Sequence, residues 1–217
     1  MRLKVCCIAS RAEASLAIGA GANAVGLVSA MPSGPGVIDD ARIAEIAATV
    51  APPHESWLLT SRTRADAIAA QHATCRTSAI QLVDTLDHAD EYQALRARLP
   101  GVTLVQVIHV VDGAALDEAH AAAPLVDRLL LDSGNPRLAV KELGGTGRVH
   151  DWTVSAAIVR AVGRPTWLAG GLTAGNVREA IAAVRPHGID VCSGVRVHGR
   201  LDAARLAALV AAIGTDG

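Results

Sequence analysis

The sequence predicts a (β/α)8 barrel, with residues 1–217 forming a single domain. Three observations carry that prediction. Eight short apolar or β-branched runs alternate strictly with eight Ala/Leu/Arg/Glu stretches of helical spacing, the pattern of parallel βαβ units. A chain of 217 residues holds that many units only as a compact barrel near the small end of the usual range. The rival doubly wound sheet lacks support, because no G-x-G-x-x-G follows the first run.

The elements follow in order. Strand-like runs fall at 3–8, 24–28, 56–59, 79–82, 103–110, 128–132, 166–169 and 189–192. Between and after them lie helical candidates near 11–20, 39–50, 62–73, 87–98, 112–122, 151–162, 174–185 and 202–213. Glycine and proline punctuate the junctions, but no Pro/Gly/Ser linker divides the chain. One long segment without periodicity, 133–149, separates the sixth strand from its helix and carries Gly134, Pro136, Gly144, Gly145 and Gly147. In a barrel such a βα loop opens on the catalytic face.

Composition excludes several classes. At 51% hydrophobic and 19% charged residues the chain can bury a large core without disulfides or metal. A net charge of −1 gives no field for a phosphate backbone, and 2% aromatics leave no base-stacking platform, so nucleic acid is not an expected partner. With no Phe and one Tyr, the core is expected to consist of Ala, Val, Leu and Ile. The uncharged stretch 14–38 raises a membrane question, but its glycines, two prolines and Asn23 do not suit a spanning helix. Arg11 and Glu13 interrupt any signal peptide. The four cysteines at 6, 7, 75 and 192 show no metal-ligand spacing, and adjacent cysteines rarely bridge. The chain reads as cytoplasmic, with reduced thiols and no metal.

Barrel chemistry is built at strand C-termini. The first strand ends in Lys4-Val5-Cys6-Cys7-Ile8. Side chains alternate along a strand, so Cys6 and Cys7 are not expected to point into the barrel together. Each thiol has a plain reading as a small buried hydrophobe. The sixth strand ends in Leu129-Leu130-Leu131-Asp132. Asp132 reads either as a cap or as a general acid whose pKa is raised by desolvation. Glycines follow the last strands: Gly170-Gly171 after the seventh, Ser193-Gly194 after the eighth, and Gly144-Gly145-Thr146-Gly147 in the long loop. Backbone N–H groups at such loops form phosphate sites in barrels.

These residues together resemble the phosphoribosylanthranilate isomerase family of tryptophan biosynthesis, along the whole chain. Lys4-Val5-Cys6 looks like its K-[IV]-C-G, Gly26-Leu27 its G-F, and Gln81-Leu82 the start of Q-L-H-G. Leu130-Leu131-Asp132-Ser133, Gly144–Gly147 and Asp151-Trp152 look like L-L-D-[ST]…G-G-[TS]-G…F-D-W. Leu168–Leu172 with Asn176-Val177 is similar to L-A-G-G-L-x-x-x-N-V, and Asp190–Val195 to D-V-S-S-G-V-E up to its last residue.

The resemblance implies a cofactor-free Amadori rearrangement of a phosphoribosyl-amine, an intramolecular aldose–ketose isomerisation. Cys6 would be the base and Asp132 the acid. Gly145, Thr146, Gly170, Gly171, Ser193 and Gly194 would serve the phosphate, and Gln81 the substrate. It implies a phosphorylated sugar substrate, no nucleic acid, no membrane, and a monomer or homodimer. Several positions depart from the pattern. Cys7 replaces a Gly, Ser33-Gly34-Pro35 replaces S-P-R, Val83 replaces the His of Q-L-H-G, and Arg196 replaces a Glu. The arginine that would hold the anthranilate carboxylate is thus missing at Pro35, and Arg196 is the nearest candidate for a replacement cation. A diverged paralogue acting on another sugar phosphate, and a non-catalytic phosphometabolite-binding barrel, remain the alternatives.

Overall fold

The computed structural model describes residues 1–134 and 151–214. Eight parallel strands close into a barrel in sequence order: β1 (Arg2–Val5), β2 (Ala24–Val28), β3 (Glu55–Thr60), β4 (Ala79–Leu82), β5 (Thr103–His109), β6 (Arg128–Asp132), β7 (Thr166–Leu168) and β8 (Gly188–Val191). Eight helices ring it: α1 (Arg11–Gly19), α2 (Asp40–Ala47), α3 (Ala65–Cys75), α4 (Ala89–Arg98), α5 (Ala115–Ala122), α6 (Trp152–Ala161), α7 (Val177–Val184) and α8 (Ala203–Ile213). The expected (β/α)8 architecture is therefore present. The uncharged stretch 14–38 is divided among α1, β2 and the loop after it. Among the described residues no helix is long and apolar enough to cross a membrane.

Strand alternation sorts the apolar residues into two cores. Outward residues such as Leu3, Val25, Leu58, Ile80 and Leu131 pack under the helices. Inward residues such as Ala24, Trp57, Val105, Leu130 and Trp167 fill the barrel. Helix starts are fixed by side-chain caps: Ser10 Oγ accepts from Glu13 N–H, and Asp39 and Asp202 accept from Arg42 and Arg205 N–H. Each cap satisfies one of the donors a helix start leaves unpaired.

The barrel centre corrects one expectation. It is built on tryptophan as well as small aliphatics, with Trp57 and Trp167 fully buried. Their rings meet edge-to-face, 5.1 Å between centroids and 70° between planes, the favoured aromatic geometry. Trp57 Nε1 donates to Glu55 Oε2 at 2.7 Å, and that carboxylate pairs with both guanidinium nitrogens of Arg128 at 2.6 and 3.0 Å. The N-terminal end is thus plugged by rings and ions, leaving the C-terminal end for a cavity. Few aromatics are needed when two large ones occupy the centre.

Space for Trp167 comes from Gly188 on β8, where a methyl group would lie 2.7 Å from the indole. Gly188→Ala should therefore overpack the centre and cost about 1–3 kcal/mol, read as a lowered urea midpoint. An unchanged midpoint would mean that the ring pair has room to shift.

Candidate active site

The site begins at the seam between β1 and β8, whose register sets Lys4 opposite Asp190 and Val5 opposite Val191. Lys4 and Asp190 both point inward and form an ion pair of 2.6 Å, with Lys4 wholly buried. Burial works against the ammonium, but the Asp190 carboxylate, helped by Cys6, pushes the Lys4 pKa up to about 12. Its Nζ also sits 5.3 Å above the Trp57 ring. One inward step further along β1 lies Cys6. Gly26 on β2 makes room for both: a methyl there would lie 2.9 Å from Cys6 Sγ and 3.0 Å from Lys4 Nζ. Lys4 and Cys6 are therefore neighbours on one face.

Above this layer lies a cavity open to solvent. One wall is polar and close to backbone, with Cys6, Asp132, Asp190, Gly170, Gly171 and Ser193; the other is apolar, with Val28, Met31, Leu59, Val107 and Leu130. Gln81, on β4 between the strands of Leu59 and Val107, also lines it. The structure thus brings together Cys6, Gln81, Asp132, Gly170, Gly171 and Ser193 from five strands and the loops that follow them. Gly145 and Thr146 lie outside the described residues.

Asp132 ends β6 beside His109, its register partner on β5. Burial pushes its carboxyl pKa up, only partly offset by His109, by the Ser133 and Gly134 amides and by Lys4. His109, which sequence reasoning did not single out, has its Nε2 3.0 Å from Val83 O, while its buried Nδ1 has no partner. A histidine ending a barrel strand was the available signal. Two further buried oxygens on the cavity wall, Gln81 Oε1 and Asp190 Oδ1, have no protein partner. Such atoms keep acceptor capacity for a guest.

The glycine loops meet closely. Gly170 and Gly171 take φ 89° and 61°, conformations that favour glycine. Gly194 lies so near Leu172 O that any Cβ would collide with it. The N–H groups of Gly170, Gly171, Ser193 and Gly194 find no acceptor among the described residues.

Two expectations need correction. Cys6 and Cys7 both line the cavity, because β1 stops at Val5 and Cys7 adopts φ 61°. That left-handed turn breaks the alternation of a strand, swings the second thiol back inward, and costs a non-glycine residue about 1 kcal/mol or more. Arg196, expected as a cation for substrate, lies beneath the cavity wall instead. Its guanidinium donates to Cys6 O (2.8 Å), Cys7 O (2.6 Å) and Gly199 O (2.9 Å), and it pairs with Glu13 at 3.3 Å. It belongs to a small hairpin, β9 (Arg196–Val197) and β10 (Arg200–Leu201), that sequence reading missed. Short two-residue strands carry no periodicity to detect.

Comparison with known proteins places this arrangement. A family model described as N-(5'phosphoribosyl)anthranilate (PRA) isomerase matches residues 4–212. The chain belongs to the phosphoribosylanthranilate isomerase family. It is 37% identical over 199 residues to the N-(5'-phosphoribosyl)anthranilate isomerase of Haloferax volcanii, covering 91% of this chain and 86% of that one. The enzyme of the same name from Thermosynechococcus vestitus is 33% identical over 215 residues, 99% and 90% of the two chains. The crystal structure of phosphoribosyl anthranilate isomerase from Thermotoga maritima superposes with a TM-score of 0.81 at 25% identity, covering 97% of each chain.

Against the phosphoribosylanthranilate isomerase pattern, Arg196 stands at a glutamate position, yet its fork spans two carbonyls that no carboxylate could serve. Arg196→Ala should leave both without donors and destabilise the ligand-free protein by about 2–4 kcal/mol, measured by urea unfolding. Arg196→Lys should recover little of it. Wild-type stability in the alanine variant would show that the clamp is dispensable.

Proposed function

We propose that this chain isomerises N-(5-phosphoribosyl)anthranilate to the 1-deoxyribulose phosphate derivative, the Amadori step of tryptophan biosynthesis. The observation that carries the reading is one cavity holding Cys6 and Asp132 with unpartnered glycine N–H groups at its edge. In this reading Gly170, Gly171, Ser193 and Gly194 bind the phosphate through backbone N–H donors, together with Gly145 and Thr146 of the long loop. The apolar wall of Val28, Met31, Leu59, Val107 and Leu130 receives the aromatic ring. Gln81 Oε1 and Asp190 Oδ1 accept from sugar hydroxyls.

The residues then divide the chemistry. Asp132, its carboxyl pKa raised by burial, donates to the furanose ring oxygen, and the ring opens to an iminium. Cys6 as thiolate removes the C2 proton, giving an enolamine that tautomerises to the ketone. The Lys4 ammonium beneath Cys6 offsets negative charge on the sulfur. No cofactor takes part. The setting proposed is the cytoplasm, with a monomer or homodimer as the working form.

Cys6→Ser and Asp132→Asn should each lower kcat by at least about 10²-fold with little change in KM. Near-wild-type turnover in either would remove that residue from its role. The pH dependence has a definite sign. The acid must be protonated, so kcat should fall as pH rises through the raised Asp132 value. Folding shares that sign: the raised carboxyl stabilises the fold below its ordinary 3.8, and that contribution disappears as pH rises. Asp132→Asn should therefore gain stability relative to wild type at pH 7, and show no such gain near pH 3.

One observation favours the paralogue reading. Among the described residues no cation lines the apolar end of the cavity, where Ser33, Gly34 and Pro35 stand. A bidentate arginine–carboxylate contact contributes about 1.5–3 kcal/mol. Installing it with Pro35→Arg should lower KM for phosphoribosylanthranilate by about tenfold or more. An unchanged KM with efficient turnover would mean another group holds the carboxylate. No turnover in either form would favour a substrate lacking it.

A further inference from the structure

The mechanism uses one of the three thiols at the cavity floor and leaves two without a task. Cys7 and Cys192 both line the cavity, and their sulfurs lie 2.9 Å apart, sharing a hydrogen bond. They stand where the family pattern quoted above has Gly and Ser. Two departures far apart in sequence thus meet in space. Cys7 reaches its partner only through the strained φ of 61°, a conformation the pattern's glycine would adopt without strain. Its surroundings also hold it there. Cys7 Sγ lies 3.4 Å from Pro35 O, and Gly36 packs so tightly on it that a methyl would come within 2.5 Å of Cys7 Cβ.

We propose that Cys7 and Cys192 form a dithiol modification site on the cavity wall, which hydroperoxides convert reversibly to an intramolecular disulfide. Cys192, the more exposed of the pair, is the attacking group. Its thiolate displaces water from the peroxide O–O bond and becomes a sulfenic acid. The Cys7 thiol then attacks that sulfur, a second water leaves, and the S–S bond forms. Two thiols lose two electrons and two protons, and one hydrogen peroxide becomes two waters. The division of roles follows the local charges. The hydrogen-bonded contact with Cys7 pulls the Cys192 pKa down, aided by Arg196 and Lys4 against burial. The same contact, with Cys6 and burial, pushes Cys7 up. Cys75 is an internal control: it closes α3 on the far side of the sheet, and burial raises its pKa to about 12.

Closing the bond draws Cys7 toward β8, off Pro35 and away from the loop that walls the apolar end. Cys6 is its chain neighbour, so isomerase activity should drop on oxidation and return with dithiothreitol. That part rests on the proposed function; the bond itself does not.

The test treats the reduced full chain with near-stoichiometric hydrogen peroxide. Titratable thiols should fall from four to two, and peptide mapping after alkylation should join Cys7 to Cys192, reversed by dithiothreitol. Cys7→Gly and Cys192→Ser, each restoring the family pattern, should abolish the loss of the thiol pair, while Cys75→Ser should not. Four thiols surviving, a bond involving Cys6 or Cys75, or sulfinic acid on Cys6 as the main product would overturn the proposal. Activity of each variant is expressed relative to its own reduced form. A bond that forms while activity never existed sinks the isomerase reading alone.

Discussion

The buried ion pair between Lys4 and Asp190 is the interaction on which the upper half of the barrel depends. Its two residues are register partners across the β1–β8 seam, the contact that closes the cylinder. Burying both charges is costly, and the pair offsets that cost only as long as both partners remain. Any slip of the seam by one residue would turn both charges into the apolar layer under the helices. The pair thus ties closure to a single register. That register delivers Cys6 and Cys192 to the cavity floor, one inward step beyond.

The same pair organises the field in the cavity. The Lys4 ammonium lies inside the barrel at the reactive layer, and it is shared among Asp190, Cys6 and, more distantly, Asp132. Asp190 takes most of its charge by direct contact at 2.6 Å. What remains does not overcome the desolvation of Asp132, whose carboxyl stays raised. The proposed base and acid can therefore share one cavity, because Cys6 sits beside the ammonium and Asp132 is only within its reach. The tryptophan plug below completes the division by keeping water out of the lower barrel.

How much of this was legible in the sequence depended on periodicity. β2, β4 and β6 fall at the predicted bounds, and the apolar runs of β2 and β6 end at turn residues on both sides. β1 did not, since Cys6, Cys7 and Ile8 continue the apolar run after the backbone has left the sheet. Hydropathy reports burial, and all three are buried. It carries no φ. Cys6 and Asp132 were legible as strand-end residues of reactive type, and Gly171 and Ser193 as backbone-rich loop positions. Lys4 beside Cys6 was not, because contact along one strand face depends on the missing side chain of Gly26 and on a partner 186 positions away. His109 and the hairpin at Arg196 were hidden for a related reason: each is defined by what faces it, not by its neighbours in the chain.

The departures from the family pattern make physical sense as a group. A left-handed residue at position 7 turns the carbonyls of Cys6 and Cys7 toward one side, and two carbonyls so placed need donors. Arg196 supplies both from one guanidinium, at 2.8 and 2.6 Å. Glu13 completes the set: it caps α1 through Ala9 N–H, pairs with Arg196, and accepts from Leu201 N–H of the hairpin. A glutamate at 196 would face the same carbonyls with no proton to give. The left-handed turn at position 7 and the arginine at 196 are thus two halves of one arrangement. Its consequence is catalytic in location, since the clamped carbonyl of Cys6 fixes the backbone from which the proposed base projects. Position 196 is thus part of the frame that holds Cys6.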